Sequence, residues 1–206
     1  MNENTVVGSE SELQALYGKA SPNSLAKESG CLTPAYQQWI EQAPFMAVAS
    51  SGAQGLDCSP RGDSAGELFR VLDAGTIAIP DRPGNNRLDT LRNIVTDPRI
   101  ALLFLIPGIK ESMRINGSAV IETDESLLES FSVNGKKPVT VLVVTIQSIY
   151  FQCGKALLRS KLWEADAQLN SDTVPTAGRM LKSVMGDFDA TAYDQSQSGS
   201  QPDNLY

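Results

Sequence analysis

The stretch from Val139 to Phe151 carries Val139, Val141, Val143, Val144, Ile146 and Ile149, and this β-branched run constrains the fold more than any other feature of the chain. Branching at Cβ stiffens the side chain, disfavours helix and suits a pleated, packed surface. Shorter segments read the same way. Phe45–Ser51 is an apolar strand, Gly52–Gly55 a hairpin-type turn, and Leu56–Ser59 the start of the returning strand. Leu68–Leu72 and Thr76–Ile79 form a hairpin across Asp73-Ala74-Gly75. Ile100–Ile106 is continuously apolar and suits a strand buried on both faces, and Met113–Glu122 alternates. About six strands at short spacing predict a mainly β fold, a closed or partly closed β-barrel with peripheral helices. An α/β sheet would need long crossover helices between most strands, and these are missing.

The helices are short. Ser9–Gly18 has Ser9 and Glu12 as a capping box and Gly18 as a stop. Residues 19–33 read as a polar connector, and Pro34–Gln42 starts with Pro in its first turn. Helical patterns also cover Leu88–Val95, Asp124–Phe131 (Asp124 as cap), Ala156–Trp163 and Pro175–Met185. The Ser/Gln-rich stretch Thr191–Gln201 reads as a mobile tail. The expected organisation is an N-terminal helical extension (1–44), a central domain (45–163) and a C-terminal extension (164–206) packing on that domain.

What the chain lacks restricts its chemistry. It has no histidine among 206 residues, which removes Ser-His-Asp and Cys-His catalysis and every His-ligated metal or haem. No Cys-x-x-Cys occurs, so no metal site is expected, and Cys31, Cys58 and Cys153 read as reduced thiols of a cytoplasmic protein. Cys153 is expected to be buried at a strand end. A net charge of −7 argues against nucleic acid and anionic membranes as partners. No apolar stretch reaches the roughly 20 residues of a transmembrane helix, and Met1-Asn2-Glu3-Asn4 does not resemble a signal peptide. Neither Gly-x-Gly-x-x-Gly nor a Walker sequence is present, so no Rossmann site or P-loop is available.

Against that acidic background one loop stands out. Ile79-Pro80-Asp81-Arg82-Pro83-Gly84-Asn85-Asn86-Arg87 joins a strand to a helix. Free N–H groups of a helix start, its dipole and an Arg fork together suit an anion. The same residues could be a solvated turn with Asn86 as a helix cap. Arg82 could pair locally with Asp81, and Arg61 with Asp63 on a surface turn.

Several segments carry a resemblance: Ser59-Pro60-Arg61-Gly62-Asp63, Ile79 to Arg87, Asn93-Ile94 with Asp97-Pro98-Arg99, Leu103 to Gly108, Arg114 to Ala119, and Cys153-Gly154-Lys155-Ala156 with Arg159-Ser160-Lys161-Leu162-Trp163. In this order they are similar to the pyridoxamine 5′-phosphate oxidase-like family of FMN-binding split β-barrel proteins, over about Phe45 to Trp163. The resemblance implies a homodimer with FMN in a groove between the subunits and a small-molecule substrate. It implies a phosphate site near Arg61, Arg82 and Asn85-Asn86-Arg87, and a flavin edge against Ile79 and Pro80. Asp81 would accept from a ribityl hydroxyl or order the loop, and Ser59 would donate to flavin or phosphate. Lys155 and Arg159 would come from the other subunit, with Arg114 a second-choice contact; Trp163 reads as a packing or dimer anchor. Asp57 and Asp63 are candidate acid–base groups only if they face the flavin, and no catalytic residue is assigned.

The chain also departs from that family. Leu88-Asp89-Thr90 stands where a Ser-Arg-Lys type phosphate motif is common, and Gln152 where many relatives carry His. Pyridoxamine 5′-phosphate is therefore not the expected substrate. The expected activity is that of an FMN-dependent oxidoreductase, in which the cofactor carries the chemistry and the protein supplies binding and orientation. A non-catalytic flavin or deazaflavin carrier and a purely structural dimer are the alternatives.

Overall fold

Every strand pairing among the described residues is antiparallel. In the computed structural model, which describes residues 5–53 and 55–197, the strands are β1 (Phe45–Gly52), β2 (Gly55–Gly62), β3 (Arg70–Asp73), β4 (Thr76–Pro80), β5 (Arg99–Leu105), β6 (Ser112–Glu122) and β7 (Val141–Gln152). They form one seven-stranded sheet in the order β2-β1-β5-β6-β7-β4-β3. The hydrogen-bond ladder is not closed: β2 and β3 are its two edges, so a closed barrel is not what the backbone forms. Gln54, inside the expected Gly52–Gly55 turn, the N-terminal Met1-Asn2-Glu3-Asn4, and residues 198–201 of the expected tail lie outside the described residues.

Alternation places one face of the sheet in the core. Met46 and Val48 of β1, Ile100, Leu102 and Phe104 of β5, Met113 and Ile115 of β6 and Leu142, Val144 and Ile149 of β7 are buried together with Ile77 and Ile79 of β4. The period of two along a pleated strand explains the pattern. It also corrects the reading of Ile100–Ile106: Ala101, Leu103 and Leu105 are only half-buried, so β5 is fully buried on one face. The β6–β7 ladder shifts register between Asn116 and Gly117. Gly117 is required there, since a Cβ would lie 2.1 Å from the Thr145 carbonyl oxygen.

The β-branched run is a strand only from Val141. Val139 is exposed, and with Thr140 it forms the approach to β7. The second hairpin is also shorter than expected, since β3 starts at Arg70 while Leu68 and Phe69 turn into the core.

Eight α-helices occur among the described residues: α1 (Glu10–Tyr17), α2 (Pro22–Ala26), α3 (Pro34–Ile40), α4 (Asp89–Thr96), α5 (Glu125–Glu129), α6 (Lys155–Ser160), α7 (Ala177–Met185) and α8 (Ala190–Gln197). Ser9 and Asp124 cap α1 and α5 as their sequence positions predict. The expected connector contains α2, capped by Ser21. The expected mobile tail is helical through Gln197, because α8 has a partner: the Asp194 carboxylate accepts from Gly178 N and Thr176 Oγ1 of the α7 start. Tyr193 also packs on Phe188, with ring centroids 5.5 Å apart. Cys153 is exposed rather than buried, as are Cys31 and Cys58, and all three thiols are free.

Helix α4 positions the site. Thr90, Asn93 and Ile94 lie on one face, at the spacing of one helical stripe, and are buried. Asn93 Nδ2 donates to Ser50 Oγ at 3.1 Å, and Gly52 lets the helix approach β1, since a Cβ there would lie 2.3 Å from Asn93 Oδ1.

Candidate functional site

Between the end of β2 and the loop after β4, a groove of about 1050 Å³ opens. One wall is Ser59 to Ser64 of β2 and the residues after it; the other is Pro80 to Leu91, with Val139 and Thr140 at the side. Two ion pairs span the groove. Arg61 Nη2 lies 3.6 Å from Asp81 Oδ1, and Arg82 Nε donates to Asp63 Oδ2 at 3.0 Å. Neither Arg pairs with the neighbour that sequence proximity suggests.

The two pairs differ in kind. Arg82 is almost enclosed, with Asp63 nearly inaccessible, and its Nη1 donates to the Phe131 carbonyl at 2.6 Å. Its guanidinium is committed to structure. The Arg61–Asp81 contact is longer than a hydrogen bond and partly open. Burial pushes the Asp81 carboxyl above its ordinary value, and Arg61 only partly offsets this. The Asp81 amide donates to the Thr140 carbonyl oxygen, which fixes the loop as it leaves β4.

The loop then turns through two left-handed residues, Asn86 at φ 58° and Leu88 at φ 59°. Leu88 pays a steric penalty that Gly would not, and such residues concentrate at functional sites. Between them Arg87 is largely exposed, held by Asp89 at 2.8 Å, while its amide donates to Asn85 Oδ1. Asn86 does not cap the helix. Leu88 holds the cap position of α4, and no side chain bonds the first-turn amides there, whereas Ser9, Ser21, Thr33, Asp124 and Thr176 do so for α1, α2, α3, α5 and α7.

Beside the α4 start, Ser59 Oγ donates to Asp57 Oδ2 at 2.9 Å, with Oδ1 at 3.1 Å. Thr90 Oγ1 donates to Asp57 Oδ2 at 2.6 Å. Thr140 Oγ1, at the side wall, is buried with no hydrogen-bond partner among the described residues.

Of the residues singled out in the sequence, Ser59, Arg61, Pro80, Asp81, Arg82, Asn85, Asn86 and Arg87 line one groove. Ile79 does not; it is 1% exposed and packs in the core. Lys155 and Arg159 lie on α6 beyond the far end of β7, roughly 35 Å of strand path from Val141. Arg114 is also away from the groove, donating to Tyr150 Oη at 2.9 Å on the β6–β7 face. Trp163 packs by donating to the Ile109 carbonyl at 2.9 Å. Sequence reasoning missed Thr90 and Thr140. Their signal was weak: Thr90 stood only as part of a departure from the expected motif, and Thr140 was absorbed into the β7 run.

A sequence model described as pyridoxamine 5′-phosphate oxidase matches residues 32–153, more than half of the chain and all of the groove. The chain belongs to the pyridoxamine 5′-phosphate oxidase family. Three solved structures illustrate its likeness to others. A HupZ variant from Group A Streptococcus is 19% identical, with 58% of this chain and 98% of that one covered, at a TM-score of 0.49. General Stress Protein 26 from Bacillus anthracis is 16% identical, with 56% and 88% covered, at 0.43. A protein related to general stress protein 26, described as of the pyridoxinephosphate oxidase family, from Clostridium acetobutylicum is 14% identical, with 57% and 84% covered, at 0.43. No curated protein matches the chain significantly.

Members of the pyridoxamine 5′-phosphate oxidase family commonly bind flavin. The groove fits a ligand of that kind. Its volume suits a nucleotide-sized molecule. Arg61 and Arg87 sit in pairs open enough to exchange for an anion, and the uncapped α4 start supplies amide donors. Among the described residues no group of three or more His, Cys, Asp or Glu could hold a metal ion, and no helix is long and apolar enough to cross a membrane.

Proposed function

We propose that this protein is an FMN-dependent oxidoreductase of the pyridoxamine 5′-phosphate oxidase-like class, acting on a small molecule. The observation that carries the reading is the Arg87 loop: an exposed guanidinium beside an uncapped helix start, at one end of a groove of cofactor size. FMN would supply hydride-transfer chemistry when bound, which suits a chain with no histidine for proton transfer. Arg87 and Arg61 would hold the phosphate, the α4 amides would complete its hydrogen bonds, and Pro80 would border the ring. Arg82 and Asp63 would keep the two walls at their spacing.

The balance of charge favours a short anionic tail. Arg61, Arg82 and Arg87 each face a carboxylate, Asp81, Asp63 and Asp89 respectively. Such a groove has little surplus positive potential for the longer anionic tail of a deazaflavin.

The functional unit in this reading is a cytoplasmic homodimer in which Lys155 and Arg159 of one subunit reach the groove of the other, since α6 stands too far from its own groove. Purified protein should retain flavin absorption bands after FMN loading and desalting, and should scatter light as a dimer at micromolar concentration. A colourless desalted protein would sink the cofactor assignment. A monomer would remove the role given to Lys155 and Arg159. Consumption of NADH or NADPH by the loaded protein separates an enzyme from a carrier.

A further inference from the structure

We propose that Asp57 sets the hydrogen-bond polarity of Ser59, so that this hydroxyl accepts from a donor group of the ligand and gives no hydrogen bond to its anion. The inference deepens the flavin reading and rests on the groove being the ligand site. It assigns to Asp57 a positioning role and to Ser59 an accepting one, opposite to the donating role that the sequence suggests for Ser59.

The number of hydroxyl protons fixes the polarity. A hydroxyl has one proton and two lone pairs, and a carboxylate has no proton to give. Ser59 Oγ lies within 3.1 Å of both Asp57 oxygens, and Thr90 Oγ1 lies 2.6 Å from one of them. Both contacts need the hydroxyl proton, so both hydroxyls point their protons at Asp57. Thr90 Oγ1 also stands 3.4 Å from Ser59 Oγ, a longer and weaker alternative. Thr90 is 3% exposed, which leaves Ser59 as the hydroxyl that meets the ligand. It can offer only lone pairs.

The charge of Asp57 acts in the same sense. Through Thr90, at the second position of α4, it stands close to the helix start and opposes the positive end of the dipole there. An anion at the helix start is therefore steered from Ser59 toward its Arg87 side. What remains for Ser59 is a neutral group carrying N–H or O–H, such as the hydroxyls of a polyol chain or an imide.

The test uses three probes on the full chain: FMN, riboflavin, which lacks the phosphate, and inorganic phosphate. Flavin binding is read by fluorescence and phosphate binding by calorimetry. Ser59→Ala should weaken FMN and riboflavin by the same factor, about fivefold, the scale of one neutral hydrogen bond, and leave phosphate unchanged. Ser59→Thr, which keeps the hydroxyl, should restore both flavins. Asp57→Asn replaces one of the two acceptor oxygens by an N–H donor, so that the hydroxyls no longer both need to point at position 57, and removes the opposing charge; it should weaken both flavins and tighten phosphate. The proposal is overturned if Ser59→Ala weakens phosphate, which would make Ser59 a donor to the anion, or if it leaves both flavins unaffected. If the wild-type protein binds phosphate but neither flavin, the cofactor reading fails. The phosphate titrations of Ser59→Ala and Asp57→Asn then decide the polarity by themselves. Should Asp57→Asn fail to fold, the Ser59 pair of variants carries the test.

Discussion

Arg82 Nε and Asp63 Oδ2, 3.0 Å apart, join the loop after β4 to the residue that follows the edge strand β2. Both side chains are largely closed to solvent, so each is tolerable only in the presence of the other. Asp63→Asn should therefore destabilise the fold by about 3–5 kcal/mol, the usual cost of stranding one charge of a buried pair. Replacing both together, Asp63→Leu with Arg82→Met, should recover most of that loss. Urea unfolding of the three variants checks the claim; a single variant as stable as wild type would show that the pair does not hold the walls.

The bulge between β6 and β7 leaves no room at Gly117. Gly117→Ala should cost about 3 kcal/mol or prevent folding, since either Thr145 or the whole β6–β7 ladder must move. Gly84, in the groove loop, has open space around it. Gly84→Ala should stay within about 0.5 kcal/mol of wild type. Thermal melts distinguish the two, and similar melting temperatures for both would contradict the close approach.

Two carboxyls should respond to acid in opposite directions. Asp97 is held down to about 2, first by its side-chain hydrogen bonds with Arg99 and then by the Arg99 amide. Its contribution to stability is complete above its ordinary value of 3.8 and fades as pH falls through about 2. Asp81 is held up by burial, so its ionisation opposes folding as pH rises above 3.8. Asp81→Asn should accordingly raise or preserve the melting temperature at pH 7 and change little at pH 3. Carboxyl carbon NMR should show Asp97 still ionised at pH 3 and Asp81 largely protonated there. A reversed order would mean that the Arg61 contact, not burial, governs Asp81.

Arg87 offers a cleaner dissection of binding from stability. Its pair with Asp89 is exposed, and such pairs add little to folding. Arg87→Ala should melt like wild type, yet bind FMN about tenfold more weakly, as expected for a lost charge-assisted hydrogen bond. Riboflavin affinity should not change. Equal loss for both flavins would place Arg87 away from the phosphate.

The strands and the site loop were legible because they depend on local pattern: alternation in Met113–Glu122, branching in Val141–Ile149, and punctuation at Pro80 and Gly84. The partners of the charges were not. Sequence proximity offers Asp63 to Arg61 and Asp81 to Arg82, whereas the fold exchanges them across a groove that exists only once seven strands are in order. The same holds for Asp57, whose significance comes from Thr90, 33 positions away on α4. Thr191–Gln197 misled for a related reason: its polar composition hides Asp194, whose two acceptor bonds come from the start of α7.

The open sheet has a consequence for how the protein behaves in crowded solution. An unpaired edge strand invites another chain to add itself, and the usual deterrents are brevity, charge and proline. β3 is only four residues long and runs from Arg70 to Asp73. β2 is longer, but Pro60 offers no N–H, and Asp57 and Arg61 stand along the same strand. The edge strand that borders the groove is thereby kept from serving as a template for aggregation.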